Sequence, residues 1–216
     1  FNRAMREPVR PLVAILGGAK VSDKIRTVMS LIEKVDKIII GGGMAFTFLK
    51  SQGYRVGRSL VEEDMLELAS EIMDKARSRG IPFYLPVDCV VAEAREEKVK
   101  TMVVPSQEIP DEDMGLDIGP ATIALFEEVI SGAGTIVWNG PMGVFELSPF
   151  SKGTVSMVEA LARSQALTIL GGGDTDVAVS DTGKSDKIDY ISTGGGAFLM
   201  LLENGELPGI SALDDA

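Results

Sequence analysis

Short apolar runs and helix-like patterns alternate along this chain. Three mostly apolar runs, residues 12–16, 37–40 and 166–170, each lead directly into a cluster of glycines. Because their apolar residues are continuous rather than alternating, these runs are typical of strands buried on both faces of a parallel sheet. Further strand-like runs occur at residues 81–87, 101–104 and 135–138.

The segments between these runs have the period of amphipathic helices. Residues 21–34 place apolar side chains at positions i, i+3, i+4 and i+7, which marks one helix face. A longer helix is predicted over residues 60–79, with Ser59 and Glu62 spaced as a capping box and Gly80 as its stop. Two more helices are predicted after Gly119 and after Pro149.

Strands that alternate with helices and are joined by right-handed crossovers predict an α/β fold. We expect a doubly wound, mostly parallel six-stranded sheet with helices on both faces, in a Rossmann-like arrangement. No linker, low-complexity tract or repeat interrupts the pattern, so residues 11–205 are predicted to form a single domain. Residues 206–216 are predicted to be a tail, because they offer few apolar anchors.

The composition narrows the classes of function. The 216 residues carry a formal net charge of −11, which argues against a nucleic-acid platform, because phosphate backbones are bound by basic faces. The longest uncharged run, residues 129–145, contains a proline and four glycines, so no membrane-spanning helix is expected. There is no histidine, so any chemistry must use lysine, carboxylate or backbone groups.

The single cysteine and the start of the chain bear on location. Cys89 lies in an apolar run and is predicted to be a buried, inert thiol rather than a reactive one. With no internal disulfide and no apolar signal segment, we expect a cytoplasmic protein. A monomer is expected as well, although no residue pattern in the chain indicates the oligomeric state. The first residue is Phe1 rather than Met, which suggests processing or a fragment.

Four glycine clusters supply the first functional signal, at residues 17–18, 41–43, 171–173 and 194–196. A strand that ends in glycines before a helix exposes N–H groups at the positive end of the helix dipole, which is a phosphate-binding arrangement. Any one cluster could equally be only a tight turn, but four clusters at one sheet edge favour a polyphosphate ligand. Neither a Gly-x-Gly-x-x-Gly fingerprint nor a Walker A loop is present, so the site has another design.

Two lysines and an aspartate accompany the glycines. Lys20 and Lys24 are predicted to project from the first turn of a helix, where a bound anion would offset their unfavourable position; the alternative is a solvated surface pair. Asp174 follows the third cluster and could hold Mg²⁺ against phosphates or cap the next helix, and these roles are compatible. The turn at residues 138–146 could place Pro141 and Val144 against a base, or serve packing alone.

Several of these segments together resemble the C-terminal, nucleotide-binding domain of phosphoglycerate kinase. The resemblance covers nearly the whole chain and follows the family's order. It is carried by residues 16–24 (LGGAKVSDK), 40–50 (IGGGMAFTFLK), 85–88 (LPVD), 114–120 (MGLDIGP), 138–146 (WNGPMGVFE), 171–175 (GGGDT) and 192–197 (STGGGA).

The resemblance implies reversible phosphoryl transfer between 1,3-bisphosphoglycerate and ADP in glycolysis, with Mg²⁺ and ADP or ATP bound. It implies that Lys20 and the amides of Gly195 and Gly196 contact the transferring group and that Asp174 holds the metal. The phosphates would be contacted by Lys24, Asn139, Gly172, Gly173, Thr175 and Gly194. The adenosine would be contacted by Gly18, Ala19, Gly42, Gly43, Leu60, Gly115, Leu116, Pro141, Val144 and, at the ribose, Glu146.

The chain departs from the family pattern in three ways. The family's N-terminal domain, which carries the basic phosphoglycerate site and a catalytic arginine, has no counterpart here, and residues 1–10 resemble the segment that joins the two halves. Asp176 stands where a small apolar residue is usual and should weaken nucleotide binding unless it points away. Arg95 stands where some members place an aromatic over the adenine. We therefore expect a half-enzyme that is inactive alone; the alternative is a stand-alone nucleotide-binding or interaction module.

Overall fold

The computed structural model describes residues 7–204. Nine strands are present in this part of the chain: β1 (Leu12–Leu16), β2 (Lys37–Ile40), β3 (Phe83–Tyr84), β4 (Asp88–Ala92), β5 (Met102–Pro105), β6 (Met114–Ile118), β7 (Thr135–Asn139), β8 (Leu167–Gly171) and β9 (Tyr190–Ser192). Its seven α-helices are α1 (Ile25–Leu31), α2 (Met44–Ser51), α3 (Leu66–Ser78), α4 (Pro120–Ser131), α5 (Lys152–Arg163), α6 (Gly173–Asp181) and α7 (Gly195–Asn204).

Six strands form one sheet in the order β3-β2-β1-β7-β8-β9. Every neighbouring pair is parallel, so all the strands end at the same edge. The order reverses direction at β1, the topological switch point at which doubly wound sheets bind ligands. The predicted six-stranded α/β sheet and single domain are confirmed.

The core lies on both faces of this sheet. Along β1, Leu12, Ala14 and Leu16 face a cluster shared with α1, α2, α3 and α7, whereas Val13 and Ile15 face α4, α5 and α6. All five residues of β1 are fully buried, as a strand covered on both faces requires. The continuous apolar runs in the sequence therefore correspond to helices on both sides of the sheet.

A second, antiparallel sheet of three strands has the order β5-β4-β6. It contains most of the strand-like run at residues 101–104, as β5, whereas the sixth strand of the main sheet is β9, which was not predicted. The strand predicted over residues 81–87 is also shorter, since only Phe83 and Tyr84 pair with β2. The chain turns away after Tyr84: β4 contacts α4, β6 contacts α5, and Phe46 and Leu49 of α2 pack against Cys89 and Val91 of β4.

Two predicted helices are shorter than expected. The helix predicted over residues 21–34 begins only at Ile25, so the expectation that Lys20 and Lys24 project from its first turn is wrong. The helix predicted over residues 60–79 begins at Leu66, after a 3₁₀ turn.

The predicted capping box is absent because both of its side chains have distant partners. The Ser59 hydroxyl accepts a hydrogen bond from the N–H of Gly115, and the Glu62 carboxylate accepts bonds from Val21 and Ser22.

Within residues 7–204, no helix is long and apolar enough to span a membrane.

Candidate functional site

A cavity of about 380 Å³ lies where the carboxyl edge of the main sheet meets the small sheet. Glycine-rich turns after β1, β2 and β7 form one side of it, and β4 and β6 form the other. It is lined by Gly18, Ala19, Gly42, Gly43, Phe46, Arg58, Leu60, Pro86, Cys89, Arg95, Met114, Gly115, Leu116, Asp117, Ile118, Pro141, Met142, Gly143, Val144, Glu146 and Asp174.

The three turns are joined to one another by backbone hydrogen bonds. The N–H of Gly18 donates to Pro141 O at 2.9 Å, and that of Gly42 donates to Met142 O at 3.1 Å. The N–H of Met44 donates to Gly18 O at 3.0 Å. Gly42 has a φ of +66°, and a Cβ on it would lie 2.5 Å from Gly18 N, so only glycine fits at this contact. The cavity wall is thus fixed by main-chain contacts.

Lys24 lies behind this wall, at the N-cap of α1. Its ammonium group donates to Gly17 O and, at 3.1 Å, to Asn139 O, the carbonyls at the ends of β1 and β7. Burial lowers the pKa of Lys24 to about 8, although the negative charges of Asp174 and Asp23 favour its charged form. At neutral pH this group is therefore mostly protonated, and a further negative charge beside it would raise the pKa and complete the protonation.

The N-termini of α6 and α7 lie side by side at the same edge of the sheet. The N–H of Gly172, the N-cap of α6, donates to Ser192 O at 3.1 Å, and a Cβ on Gly195 would lie 3.4 Å from Gly172 Cα. Gly194 and Gly196 are exposed. The structure thereby brings the third and fourth glycine clusters together, with their free amide groups at two adjacent helix dipoles.

Asp174 is exposed and lines the cavity from the first turn of α6. Gly172 rather than Asp174 is the N-cap, and the cap makes no side-chain hydrogen bond, so the capping role predicted for Asp174 is wrong. Asp176 is half-buried in the same turn and is not among the residues that line the cavity.

Asn139 and Thr175 support the turns rather than line the cavity. Asn139 Nδ2 donates to Gly171 O at 2.6 Å, and Thr175 Oγ1 accepts the N–H of Gly140 at 2.8 Å. Both side chains are buried, with exposed fractions of 4% and 0%. Their contact with phosphate stays a prediction.

Apolar side chains line part of the cavity. Leu60 faces it from the segment before α3, Leu116 from β6, and Val144 from the turn after β7. Arg95 and Glu146 stand at the rim, with a distance of 3.9 Å from the guanidinium to a carboxylate oxygen. Both charged side chains are more than half exposed, so either can turn toward a ligand.

A family model described as phosphoglycerate kinase matches residues 1–205. This chain belongs to the phosphoglycerate kinase family. It is 62% identical over 215 residues to the phosphoglycerate kinase of Citrifermentans bemidjiense, a match that covers 100% of the chain and 54% of that relative. The chain thus spans about half the length of the curated relatives it matches.

Solved structures of phosphoglycerate kinases share the fold. The structure from Coxiella burnetii has a TM-score of 0.94 and 45% identity, over 98% of this chain and 55% of that one. The structure from Pyrococcus horikoshii has a TM-score of 0.84 and 32% identity, over 98% and 54%.

Most site residues predicted from the family resemblance lie around the one cavity. Gly18, Ala19, Gly42, Gly43, Leu60, Gly115, Leu116, Pro141, Val144, Glu146 and Asp174 line it. Lys24, Asn139, Gly172, Gly173, Thr175, Gly194, Gly195 and Gly196 are not among its lining residues, although Lys24 is bonded directly behind the wall. Lys20 is exposed and follows the cavity-lining Ala19.

Sequence reasoning missed the floor of the cavity, which Asp117 and Cys89 form. The Asp117 carboxylate accepts the N–H of Gly153 at 2.7 Å and that of Ile118 at 2.9 Å. Burial nevertheless raises the pKa of Asp117 to about 7 and that of the Cys89 thiol to about 12. A lone aspartate inside the apolar strand β6 was the available signal, and the buried Cys89 confirms the prediction of burial.

Arg58 was also missed, and it lines the cavity near Leu60. Its guanidinium donates to the carbonyls of Glu112 at 3.1 Å and Glu93 at 3.3 Å. These partners lie far from Arg58 in the sequence, so no local pattern indicated its position.

The donors present fit a magnesium ion that arrives with a nucleotide. Residues 7–204 contain no group of three or more acidic, cysteine or histidine side chains that could hold a metal by themselves. Mg²⁺ is commonly bound through one or two carboxylates, with phosphate oxygens and water completing its shell. Asp174, an exposed carboxylate beside free helix N-termini, has the chemistry for this arrangement.

Proposed function

We propose that this chain is the nucleotide-binding half of a phosphoglycerate kinase. It would take part in reversible phosphoryl transfer between 1,3-bisphosphoglycerate and ADP, which gives 3-phosphoglycerate and ATP in glycolysis. The observation that carries the proposal is the make-up of the cavity: Leu60, Leu116 and Val144 line an apolar part of it, Asp174 lines it from the N-terminus of α6, and the Lys24 ammonium group is bonded directly behind its wall. A nucleoside polyphosphate has the same division between an anionic tail and a flat base.

The apolar end suits the adenosine. Leu60, Leu116, Pro141 and Val144 would contact the base, while Gly18, Ala19, Gly42, Gly43 and Gly115 allow the ligand to approach the backbone closely. Glu146 at the rim would accept hydrogen bonds from the ribose hydroxyls. Arg95 lies 3.9 Å from the Glu146 carboxylate, and its guanidinium would be free to face the base once Glu146 binds the ribose.

The edge of the sheet beside Asp174 suits the phosphates. The helix dipoles of α6, which begins at Gly173, and of α7, whose N-terminus lies at residues 194–196, direct their positive ends toward this edge, while the N–H of Gly172 is already bonded to Ser192 O and fixes the turn. Asn139 and Thr175 hold the turns beneath them, and Lys24 would supply a full positive charge to the nucleotide phosphates.

The reaction needs charge stabilisation more than proton transfer, which agrees with the absence of histidine. In the direction of ATP formation, a β-phosphate oxygen of ADP bonds to phosphorus as the bond from phosphorus to the acyl oxygen breaks. The carboxylate of 3-phosphoglycerate leaves. Lys20 and the amides of Gly195 and Gly196 would bind the equatorial oxygens of the group in transit.

Asp174 would hold Mg²⁺ together with the nucleotide. When bound, the ion neutralises phosphate charge and orients the nucleotide tail. Asp176 adds a negative charge two residues after Asp174. Because it does not line the cavity, it should weaken nucleotide binding less than the sequence alone suggests.

Phosphoglycerate would be bound by the part of the family's length that this chain does not match. We propose residues 11–205 as the nucleotide domain, residues 1–10 as the connecting segment and residues 206–216 as the tail; residues 1–6 and 205–216 lie outside the described residues. The cytoplasmic location and monomeric state stay predictions.

Complementation tests this function. The 216-residue chain alone should bind MgADP but show negligible kinase activity, because family catalysis requires both halves to enclose the substrates. Adding the separately produced unmatched part of the Citrifermentans bemidjiense protein should restore ATP-dependent formation of 1,3-bisphosphoglycerate. Lys20→Ala should then lower kcat by about 100-fold or more with a much smaller change in nucleotide affinity.

A second candidate is a stand-alone, non-catalytic nucleotide-binding or interaction module, for which the glycines, apolar side chains and Asp174 that line the cavity would supply the binding site. MgADP binding without any complementation of activity would support that candidate and refute the enzyme half. Robust turnover by the chain alone would contradict the proposed division of the site.

A further inference from the structure

Glu62 connects two parts of the site that are remote in the sequence. Its Oε2 accepts the N–H of Val21 at 2.6 Å and the N–H of Ser22 at 3.1 Å. Its Oε1 accepts a short hydrogen bond from Ser22 Oγ. One carboxylate thereby satisfies three donors on the loop that leads from β1 to α1, about 40 residues earlier in the chain.

The loop depends on this carboxylate because α1 starts late. The helix begins at Ile25, and its N-cap, Lys24, makes no side-chain capping bond within the described residues. Val21 and Ser22 precede this N-cap, so their amides lie outside the helix and are bonded by the Glu62 carboxylate instead. A charged acceptor makes stronger hydrogen bonds than a neutral one, so the three bonds to Glu62 hold residues 21 and 22 beside the segment before α3.

Glu62 is itself fixed to the core. Its N–H donates to Thr47 Oγ1 at 3.1 Å, and Thr47, on α2, is 1% exposed. Two residues before Glu62, Leu60 lines the apolar end of the cavity. The same short segment thus contacts the base end of the cavity and the loop at its phosphate end.

Lys20 directly precedes the two residues that Glu62 binds, so the position of Lys20 depends on these bonds. Partial burial alone would raise the pKa of Glu62, but the bonds from Ser22 and Val21 and the Lys20 ammonium group outweigh it and lower that pKa. Glu62 is therefore ionised at neutral pH, and it binds the two residues that follow Lys20.

We propose that Glu62 is a positioning residue of the phosphoryl-transfer site, holding residues 20–22 so that the Lys20 ammonium group faces the transferring group. This inference rests on the proposed function of Lys20. The preceding half of the loop has its own bonds, since the N–H of Gly18 donates to Pro141 O. Loss of Glu62 should consequently free Lys20 while leaving the nucleotide-lining glycines in place.

The test uses the complemented pair described above. Glu62→Ala should lower kcat by about 10- to 100-fold, because misplacing a catalytic group by about 1 Å has effects of this size, and should change KM for ATP by less than about threefold. Glu62→Gln keeps one oxygen that can accept from the amides, so its kcat should lie between that of Glu62→Ala and that of the unaltered chain. Glu63→Ala is the matched control: it removes an exposed carboxylate from the adjacent position, paired only with Lys50, and should behave as the unaltered chain.

The Lys20→Ala background separates positioning from general stabilisation. If Glu62 acts through Lys20, adding Glu62→Ala to Lys20→Ala should lower kcat by less than about twofold further. A full additional loss would show that Glu62 acts elsewhere and would overturn the proposal, as would an unchanged kcat in Glu62→Ala alone.

Amide hydrogen exchange distinguishes this proposal from the proposed function. Glu62→Ala should accelerate exchange at Val21 and Ser22 by about 10-fold or more, without a comparable change at Gly18. If the complemented pair is active but Glu62→Ala leaves either the exchange rates or kcat unaltered, only the role of Glu62 is refuted and the proposed function stands. An unaltered chain that is protected at Val21 and Ser22 but never complements activity refutes the proposed function, and the positioning role with it.

Discussion

The ammonium group of Lys24 offers a direct measure of whether an anion occupies the sheet edge. This group donates to two strand-end carbonyls, and burial lowers its pKa to about 8. A nucleotide phosphate beside it would favour the charged form and raise the pKa again. Binding at alkaline pH must then take up a proton.

The size of the uptake follows from the pKa. With a free pKa of about 8, roughly half of the Lys24 side chains are neutral at pH 8 and about 90% at pH 9, against about 10% at pH 7. If the bound form has a pKa above about 10, MgADP binding should take up close to these fractions of a proton. Since the ligand prefers protonated Lys24, affinity should be greatest below pH 8 and fall by up to about 10-fold per pH unit above it.

Isothermal titration calorimetry at pH 7, 8 and 9, in two buffers of different ionisation enthalpy at each pH, measures the uptake. Lys24→Met should remove the uptake at pH 9 and flatten the pH dependence of affinity. Lys187→Met, which removes an exposed charge paired only with its neighbour Asp186, should retain both. An uptake below about 0.2 proton at pH 9 in the unaltered chain, or an equal uptake in Lys24→Met, would refute the reasoning.

Three other predictions concern the cavity walls and floor. Because the pKa of Asp117 is raised to about 7, the unaltered chain should lose stability as pH rises from about 4 to 7, whereas Asp117→Asn should not. The free energy of unfolding of Asp117→Asn minus that of the unaltered chain should therefore increase by up to about 1.4 kcal/mol per pH unit between pH 5 and 7 and then level off. A difference that does not change with pH would contradict the buried ionisation. Gly42→Ala should destabilise the chain by about 1–2 kcal/mol more than Gly53→Ala, since both positions have positive φ but only a Cβ on Gly42 meets Gly18 N, at 2.5 Å; equal losses in denaturant unfolding would count against this contact. Cys89, whose thiol pKa is raised to about 12, should resist iodoacetamide at pH 8 until the chain is unfolded, and rapid stoichiometric labelling of the native chain by mass spectrometry would show that the floor opens.

Local patterns in the sequence were sufficient for the main sheet. The continuous apolar run of β1 is buried on both faces, and the glycines after it, after β2 and after β8 lie at one edge, as expected. Such patterns report the burial of each element and the turns that follow it, because periodicity and backbone freedom are properties of neighbouring residues. Parallel pairing then places every strand end on the same side.

Partners that are distant in the chain were not predictable in this way. Glu62 had the spacing of a capping box, yet its carboxylate bonds to Ser22, and Ser59 bonds to Gly115. The acceptors for Lys24 were equally hidden, since they are backbone carbonyls of two strands. A local capping motif forms only if no distant residue offers its side chains a better hydrogen-bond partner. Here Ser59 and Glu62 bond to residues that are distant in the sequence, so the capping box does not form.

The amino-acid order alone determined the α/β class, the edge of the sheet that holds the glycine turns and the family to which the chain belongs. Tertiary structure decided which groups face the cavity: it placed Asp117 and Cys89 on its floor, put Lys24 behind its wall and linked Glu62 to the loop of Lys20. The physical reason is that burial and turn formation depend on adjacent residues, whereas charge environment and hydrogen-bond partners depend on strand order and on how the small sheet covers the large one.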